Sequence, residues 1–511
     1  MDQTTEDGSQ KNVNSGRSLQ VISQGASLHF GGKITSQGLK FVFNLLLTRV
    51  LGATLYGVYT YAQTLIQFFM VFARLGTGKS ILRFLPEHSD NPPRRDWTVR
   101  IAYLTALAAS ILISAGLYIL APLVNSFTLS TPELVIILRI LAIALPFNTL
   151  INLTGAIFRG LERVELQIIV QDFTKPLIQI AIVAVAFVFG FSLVGVVTAL
   201  AVGTVLTFSV AISILYNQTD IRPTGDLSSG SFRRFYNFSL PLTFKDLGSK
   251  LYTRVDILMV GFFLTGSAVG IYRISVLMTS FLTLPLSGIN QLFPPVASDL
   301  HSNGERKELE EIYQILTRWT FTIVIPPALA VIVFSQEVLQ IFGEGFSTGS
   351  FVLILFAVAQ LTNCLVGPSG FLLMMTDHQY LNLANQWTLG VSNVVLNYVL
   401  ILEFGFIGAA VATAGSLAMI NVIRVVEVWH FEGMIPYSTK FWKPVFAGIL
   451  TIPVMLGLEF YLTGYVLLVV GSTSGLLVFV TLLVMFGFED EDKEFYYENV
   501  RPYMRKLGIV N

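Results

Sequence analysis

Apolar residues in this chain fall in long unbroken runs, with polar positions gathered into short connections between them. Each run is about as long as a helix needs to cross roughly 30 Å of hydrocarbon. About fourteen follow one another from near residue 25 to near residue 487, centred near residues 37, 66, 110, 146, 178, 205, 251, 282, 325, 361, 391, 417, 452 and 476. A helix that is apolar on every side has no aqueous face, so the pattern predicts an all-α integral membrane protein. Composition agrees, because 53% hydrophobic and 13% charged residues, with a mean hydropathy of +0.68, lie far from a soluble globular balance. The opening MDQTTEDGSQKNVNSG is polar and acidic, with no basic start leading into an apolar core, so no cleavable secretion signal is expected. Cys364 is the single cysteine, which excludes an intrachain disulfide and a cysteine metal site.

Charge changes the picture by giving it a direction. Every second connection carries cations: Lys79, Arg83, Arg94, Arg95 and Arg100; Arg159 and Arg163; Arg222, Arg233 and Arg234; Arg306, Lys307 and Arg318; Lys440 and Lys443; then Lys493, Arg501, Arg505 and Lys506. The intervening turns hold almost none, Arg49 being the exception. By the positive-inside rule the cation-rich side is cytoplasmic, both termini lie there, and the number of spans is even. The formal net charge of zero hides this sidedness and gives no reason to expect nucleic acid.

The chain is also built twice. Thr48-Arg49-Val50 returns as Thr253-Arg254-Val255, Gly57-Val58-Tyr59 as Gly270-Ile271-Tyr272, and Gly190-Phe191 as Gly405-Phe406. Arg163 to Leu166 falls opposite His378 to Leu381. The offset is 213 residues at the Gly-x-Tyr pair (270 − 57) and 215 at the two later landmarks (405 − 190; 378 − 163), and several matches in order at a near-constant spacing mark a duplication. The expected organisation is a cytoplasmic tail (1–22), a six-helix bundle (23–217), a polar cytoplasmic linker (218–235), a second six-helix bundle (236–430), two additional transmembrane helices (431–487) and a cytoplasmic tail (488–511). An even number of spans per copy makes the repeats parallel, with their axis along the membrane normal and a seam between bundles.

The helices that lead each bundle are too polar to face lipid. His29, Lys33, Gln37, Lys40 and Asn44 step by four, four, three and four along one stripe. Gln63, Gln67 and Arg74 form a line on the second helix, Asp246, Lys250 and Arg254 on the seventh, and Arg273, Ser280, Ser287 and Gln291 on the eighth. An ionisable group at mid-membrane costs about 3 kcal/mol or more unless it faces protein or water, so the stripes imply a hydrated interior with more cations than carboxylates. Each member also has a plainer reading: Lys33 and Arg74 near helix ends can snorkel, and Asp246 with Lys250, or Asp172 with Lys175, can pair along the helix. Lys40, about 10 Å deeper than Lys33, is harder to explain that way.

Other motifs fail their context. ARLGTGKS, Ala73 to Ser80, has Ala where a phosphate loop needs its first glycine, and a membrane helix where it needs a strand. The Asn217 and Asn237 glycosylation triplets fall on the cytoplasmic side. The five histidines have no ligand spacing, so no metal site, catalytic set or cofactor is expected.

The stretches LLLTRVLGATLYGVYTYAQTL, FSLPLTFKDLGSKLYTRVDILMVGFFLTGSAVGIYRIS and FGFIGAAVATAGS resemble the polysaccharide-transporter branch of the multidrug/oligosaccharidyl-lipid/polysaccharide exporter superfamily. The resemblance runs over nearly the whole chain. It implies two six-helix bundles facing each other in a V, with the first, second, seventh and eighth helices lining a cationic cavity, plus two C-terminal helices. The implied function is a flippase of the cytoplasmic membrane, not an enzyme, that carries a polyprenyl-phosphate- or pyrophosphate-linked oligosaccharide to the outer leaflet by alternating access, for surface polysaccharide or glycoprotein glycan assembly. In that reading Lys33, Lys40, Arg74, Lys250, Arg254 and Arg273 receive the phosphate, and Gln37, Asn44, Gln63, Gln67 and Gln291 line the polar path. Asp246 and Asp256 leave proton or sodium coupling open. The partners are the lipid-linked oligosaccharide and membrane lipids, with a glycan polymerase or glycosyltransferase as further candidates. Two alternatives stay open: an ion-coupled multidrug antiporter, disfavoured by the cation excess, and a membrane-embedded glycan ligase or glycosyltransferase, disfavoured by short outer turns.

Overall fold

The structure, a computed structural model, describes residues 6–222, 231–487 and 489, with side chains from Ile34 onward except at 249, 251 and 252. All regular structure among the described residues is helical. The helices in order are α1 (Glu6–Arg74), α2 (Thr77–Glu87), α3 (Pro92–Ser126), α4 (Pro132–Gly160), α5 (Val164–Gln167), α6 (Lys175–Phe189), α7 (Leu193–Gln218), α8 (Phe232–Phe263) and α9 (Gly266–Ser280). They continue with α10 (Leu284–Asn303), α11 (Arg306–Val333), α12 (Ser335–Gln340), α13 (Ser350–Leu365), α14 (Ser369–Met375), α15 (Gln379–Glu432), α16 (Trp442–Leu458) and α17 (Gly464–Phe486). Helix begins at Glu6, within the segment expected as a tail. The linker positions 223–230, and the C-terminal tail apart from Glu489, lie outside the described residues.

Two of these helices are folded pairs. Gly52 leaves helical geometry at φ 68° and ψ 177°, and Tyr56 Oη donates to Asn44 Oδ1 at 2.6 Å. Twelve residues of straight helix would set the two Cα atoms about 18 Å apart along the axis, more than the two side chains can span, so α1 doubles back at Gly52. Gly405 does the same in α15, at φ 60° and ψ −139°, where Asn393 Nδ2 reaches Thr413 Oγ1 at 3.1 Å. Both glycines hold backbone conformations that a Cβ would oppose.

Eleven helical stretches among the described residues are long and apolar enough to cross a membrane. That number falls below the fourteen runs read from the sequence for two reasons. Ile34–Arg74 and Gln379–Glu432 each count once although each doubles back, and α8 is long but carries Lys245, Asp246, Lys250, Arg254 and Asp256. Large apolar side chains such as Leu112, Ile119 and Val188 are more than 70% exposed, which suits contact with hydrocarbon and not with water.

The described chain divides into two compact units. The first holds residues up to Leu277 together with Ile341–Gly349 and Gln386–Thr413; the second holds Met278–Gln340, Ser350–Asn385 and Ala414 onward. In the first, α2, α3, α4 and the start of α8 close around Phe84, Leu85, Trp97, Ile157, Phe158 and Phe235. In the second, α10, α11, α14 and the end of α15 close around Phe293, Leu309, Tyr313, Leu372 and Val428, while α11, α16 and α17 pack on Phe334, Met455 and Phe479.

The duplication is also written into the backbone. Glu162 and Gly190 have positive φ, at 61° and 62°, and so do Asp377 and Gly405, at 65° and 60°; both pairs stand 215 residues apart (377 − 162; 405 − 190). The two Gly-x-Tyr motifs meet each other inside the first unit. A Cβ on Gly57 would sit 1.6 Å from the Gly266 carbonyl oxygen, and one on Gly270 would sit 2.3 Å from the Ala53 carbonyl oxygen. Glycine at both places lets the two backbones touch, the mode of close approach that small residues give membrane helices.

Candidate functional site: a cluster of cations in the first unit

Three local features aim charged side chains into the first unit. The reversal at Gly52 lays the Lys40-bearing arm of α1 beside the arm that ends at Arg74. Ahead of α6 the chain widens into a π-helical turn, Ile168–Thr174. Its cause is Pro176, which has no N–H to offer the carbonyl four residues back and whose ring crowds it. On α8, Asp246, Lys250 and Arg254 follow at steps of four and so share a face.

These features bring together a chain of cations. Lys175 lies within electrostatic reach of Arg74 and Lys40. Lys250 interacts with Arg254, Arg74 and Asp246, and Arg254 with Arg273 and Asp256. Arg273 in turn reaches Tyr56. The cluster thus draws on both arms of α1 and on α6, α8 and α9. Arg74 is held by little: one guanidinium nitrogen contacts Met70 Sδ at 3.2 Å, and its buried Nε has no hydrogen-bond partner. Lys175 Nζ donates to Asn148 Oδ1 at 2.8 Å, a bond to a neutral acceptor that leaves its charge uncompensated.

Two carboxylates border the cluster in different ways. Asp246 forms an ion pair with Lys79 of α2. Asp256 is buried and ends a directed relay: Tyr272 Oη donates to its Oδ2 at 2.9 Å and the Ile257 amide to its Oδ1 at 2.8 Å. Tyr272 has only one proton, so in the 3.1 Å contact with Thr413 the threonine hydroxyl is the donor. Thr413 then accepts from Asn393 Nδ2, and Asn393 accepts from Asn397. The Oδ1 of the fully buried Asn397 finds no donor.

The sequence-derived residues divide as follows. Lys40, Arg74, Lys250, Arg254, Arg273, Asp246 and Asp256 are drawn together in the first unit. Gln37, Gln63 and Gln67 are half-buried on the two arms of α1. Asn44 has its amide engaged at both ends, accepting from Tyr56 and donating to the Lys40 carbonyl, so it braces the reversal. Gln291 is exposed on α10 and belongs to the second unit. The Lys33 side chain lies outside the described residues. Neither same-helix ion pair is among those of the described residues: Asp246 pairs with Lys79, and Lys175 donates to Asn148. Lys175 is the cluster member that the stripes missed. A lysine immediately before a proline inside an apolar run was the available signal.

The fold and the site together define a class: a multi-span helical membrane protein with a duplicated core and cations gathered among its spans. The chain belongs to the polysaccharide biosynthesis protein family, whose profile matches residues 22–301, within the multidrug/oligosaccharidyl-lipid/polysaccharide exporter superfamily; the MatE profile matches residues 241–399. Over 261 residues it is 28% identical to a probable low-salt glycan biosynthesis flippase, Agl15, of Haloferax volcanii, covering 50% of this chain and 54% of that one. The chain therefore spans about half the length of that relative. The probable flippase AglR of the same organism is 24% identical over 426 residues, 79% of this chain and 83% of its own. The fold is similar to that of the lipid II flippase MurJ in an inward closed conformation, with a TM-score of 0.73 at 16% identity over 90% of this chain and 98% of that one.

Proposed function

We propose that the protein is a flippase that moves a polyprenyl-phosphate- or pyrophosphate-linked oligosaccharide from the cytoplasmic to the outer leaflet of the cytoplasmic membrane, with both termini on the cytoplasmic side. The reading is carried by one observation: Lys40, Lys175, Arg74, Lys250, Arg254 and Arg273 form a connected group on helices of membrane-spanning length, with few carboxylates among them. Such a group is costly in hydrocarbon and becomes favourable when an anion enters. A phosphate offers several oxygens to guanidinium and ammonium donors, and these charge-assisted bonds are the stronger kind. Gln37, Gln63 and Gln67 offer donors and acceptors to sugar hydroxyls, while the polyprenyl tail stays in lipid. Alternating access between the duplicated bundles, 23–217 and 236–430, exposes the group to each face in turn. The sequence-related flippases named above support the cargo class.

A coupling ion enters the same reading at Asp256. Its buried carboxylate, the relay through Tyr272 and Thr413, and the unmet acceptor on Asn397 form a site where a proton or a small cation would bind; Asp246, already paired with Lys79, is the weaker candidate. The testing experiment is reconstitution into vesicles loaded with a lipid-linked oligosaccharide, scoring glycan that becomes accessible on the opposite leaflet. Wild-type protein should transfer it, and Lys40→Glu and Arg254→Glu proteins recovered in equal amounts should not. Unchanged transfer in both variants would assign these cations to structure alone.

A further inference from the structure

Away from the cation cluster, α2 and the beginning of α8 border an open cleft of about 450 Å³. Its charged lining is Arg83, Arg233 and Arg234, with Asn237 beside them and Phe84 and Phe238 as its apolar wall. Phe84 is buried in the core of the first unit and meets Phe238 edge to face at 5.6 Å between centroids, so the wall is fixed. The guanidinium carbon of Arg83 stands 4.5 Å from the centre of the Phe238 ring and 5.4 Å from that of Phe84, and that of Arg234 stands 5.3 Å from Phe84. A guanidinium resting on a ring is oriented beforehand, and its planar N–H fork remains available for bidentate pairing with a phosphate. Arg234 is partly neutralised by Glu87. Among the described residues neither Arg83 nor Arg233 has a carboxylate partner, so the cleft keeps an excess of positive charge.

The face of α8 that leads out of the cleft changes character along its length. Arg233, Asn237, Leu240 and Phe244 follow at steps of four, three and four and therefore form one stripe. The first two line the cleft; Leu240 and Phe244 are 43% and 71% exposed. A polar head at one end and uncovered apolar side chains one and two turns further along the helix match the two parts of a lipid. We propose that this cleft binds the phosphate head group of a membrane lipid, with the chain lying along Leu240 and Phe244, as a site separate from the central cluster. The head group can come from two sources, an anionic bilayer phospholipid or a polyprenyl phosphate.

Native mass spectrometry of the full-length protein in detergent, titrated with phosphatidylglycerol, phosphatidylcholine or polyprenyl phosphate, tests the site. At least one of the two anionic lipids should bind about tenfold more tightly than phosphatidylcholine, and R83Q/R233Q should bind one molecule fewer of that lipid at saturation while keeping any held by the central cluster. Loss confined to phosphatidylglycerol assigns the cleft to the bilayer, and loss confined to polyprenyl phosphate assigns it to the carrier. The single variant R233Q, at an exposed position, gives a partial loss and serves if the double variant does not fold. Anionic lipid binding unchanged in the folded variants overturns the proposal, and displacement of the lipid by millimolar inorganic phosphate overturns its lipid part. Because the readout is binding, a failure here leaves the transport reading untouched.

Discussion

Arg49 and Arg254 hold the same place in the two copies of one Thr-Arg-Val motif, yet they are put to different uses. Arg49 is exposed, and its Nε donates to the Ile341 carbonyl at 2.8 Å, 292 residues away in sequence. Arg254 is half-buried, with Lys250, Arg273 and Asp256 around it. The following residues widen the gap: the first copy continues with Val50-Leu51, the second with Val255-Asp256. Only the second copy therefore has a carboxylate for its motif tyrosine, Tyr272, to reach. The charged site as a whole nonetheless draws on both copies, with Lys40, Arg74 and Lys175 from the first and Lys250, Arg254 and Arg273 from the second. The two copies still depend on each other, because their glycine motifs pack backbone to backbone.

The sharpest way to break this comparison is to exchange charge at both places. Arg254→Glu should reduce glycan transfer by about a hundredfold or more, since a charge-assisted contact is worth up to about 3 kcal/mol and reversal adds repulsion. Arg49→Glu should leave at least half of the transfer once expression is matched. Equal losses in the two variants would mean that the motif arginines do the same work.

The shared glycine contact comes next in size. Gly270→Leu would force a side chain into the Ala53 carbonyl, where even a Cβ stands at 2.3 Å. Overpacking of this kind costs about 1–3 kcal/mol, and where backbone is the obstacle the upper end is expected. Thermal unfolding in detergent should show a lower midpoint for Gly270→Leu and for Gly57→Leu, and none for Gly38→Leu, whose Cβ would meet nothing within 4 Å.

Smaller still is the effect of taking apart the Asp256 relay. Tyr272→Phe removes both hydrogen bonds of the hydroxyl, the one given to Asp256 and the one accepted from Thr413, a loss of about 1–2 kcal/mol of stability, and leaves the carboxylate in place. Asp256→Asn should remove the dependence of transfer on an imposed proton or sodium gradient while preserving cargo binding. Gradient-dependent transfer that survives in Asp256→Asn would rule out this residue as the coupling group.

Which of these differences could be read without the structure follows from the range of the interactions involved. The apolar runs and the α8 stripe depend on residues a few positions apart, so period and spacing expose them. The repeat was legible too, because its landmarks keep their offset. Asn44 was legible as a polar residue on a stripe, but its engagement with Tyr56 depends on the reversal at Gly52, which changes which residues are neighbours. Lys175 was hidden for a related reason. The π-helical turn before it offsets the ordinary helical register, so a reading based on 3.6 residues per turn places its side chain near Asp172 instead of Asn148. The boundaries of the compact units, which give the second copy's opening helix to the first unit, rest on contacts far apart in sequence.

The smallest expected effect concerns two histidines that stand 213 residues apart (301 − 88), His88 after α2 and His301 near the end of α10. His301 Nε2 lies 3.7 Å from Asp377, whereas His88 Nδ1 meets Thr98 Oγ1 at 3.1 Å. Thr98 gives its own proton to the Arg94 carbonyl, so His88 must be the donor in that contact. Burial lowers the His88 pKa from its usual value; Glu87 opposes this, and Arg94 and Arg234 reinforce it. The neutral ring is thus favoured in the folded state. Above about pH 6.5, the ordinary histidine value, His88 is neutral whether the chain is folded or not, and its contribution is fully present. As pH falls below that value the unfolded chain takes up the proton first, and stability declines until the folded-state pKa is passed. Between pH 7.5 and 5.5 the unfolding midpoint of the wild type should therefore drop slightly more than that of His88→Gln, whose amide can still donate to Thr98 but cannot titrate. Identical slopes for the two proteins would show that the burial of His88 has no thermodynamic weight.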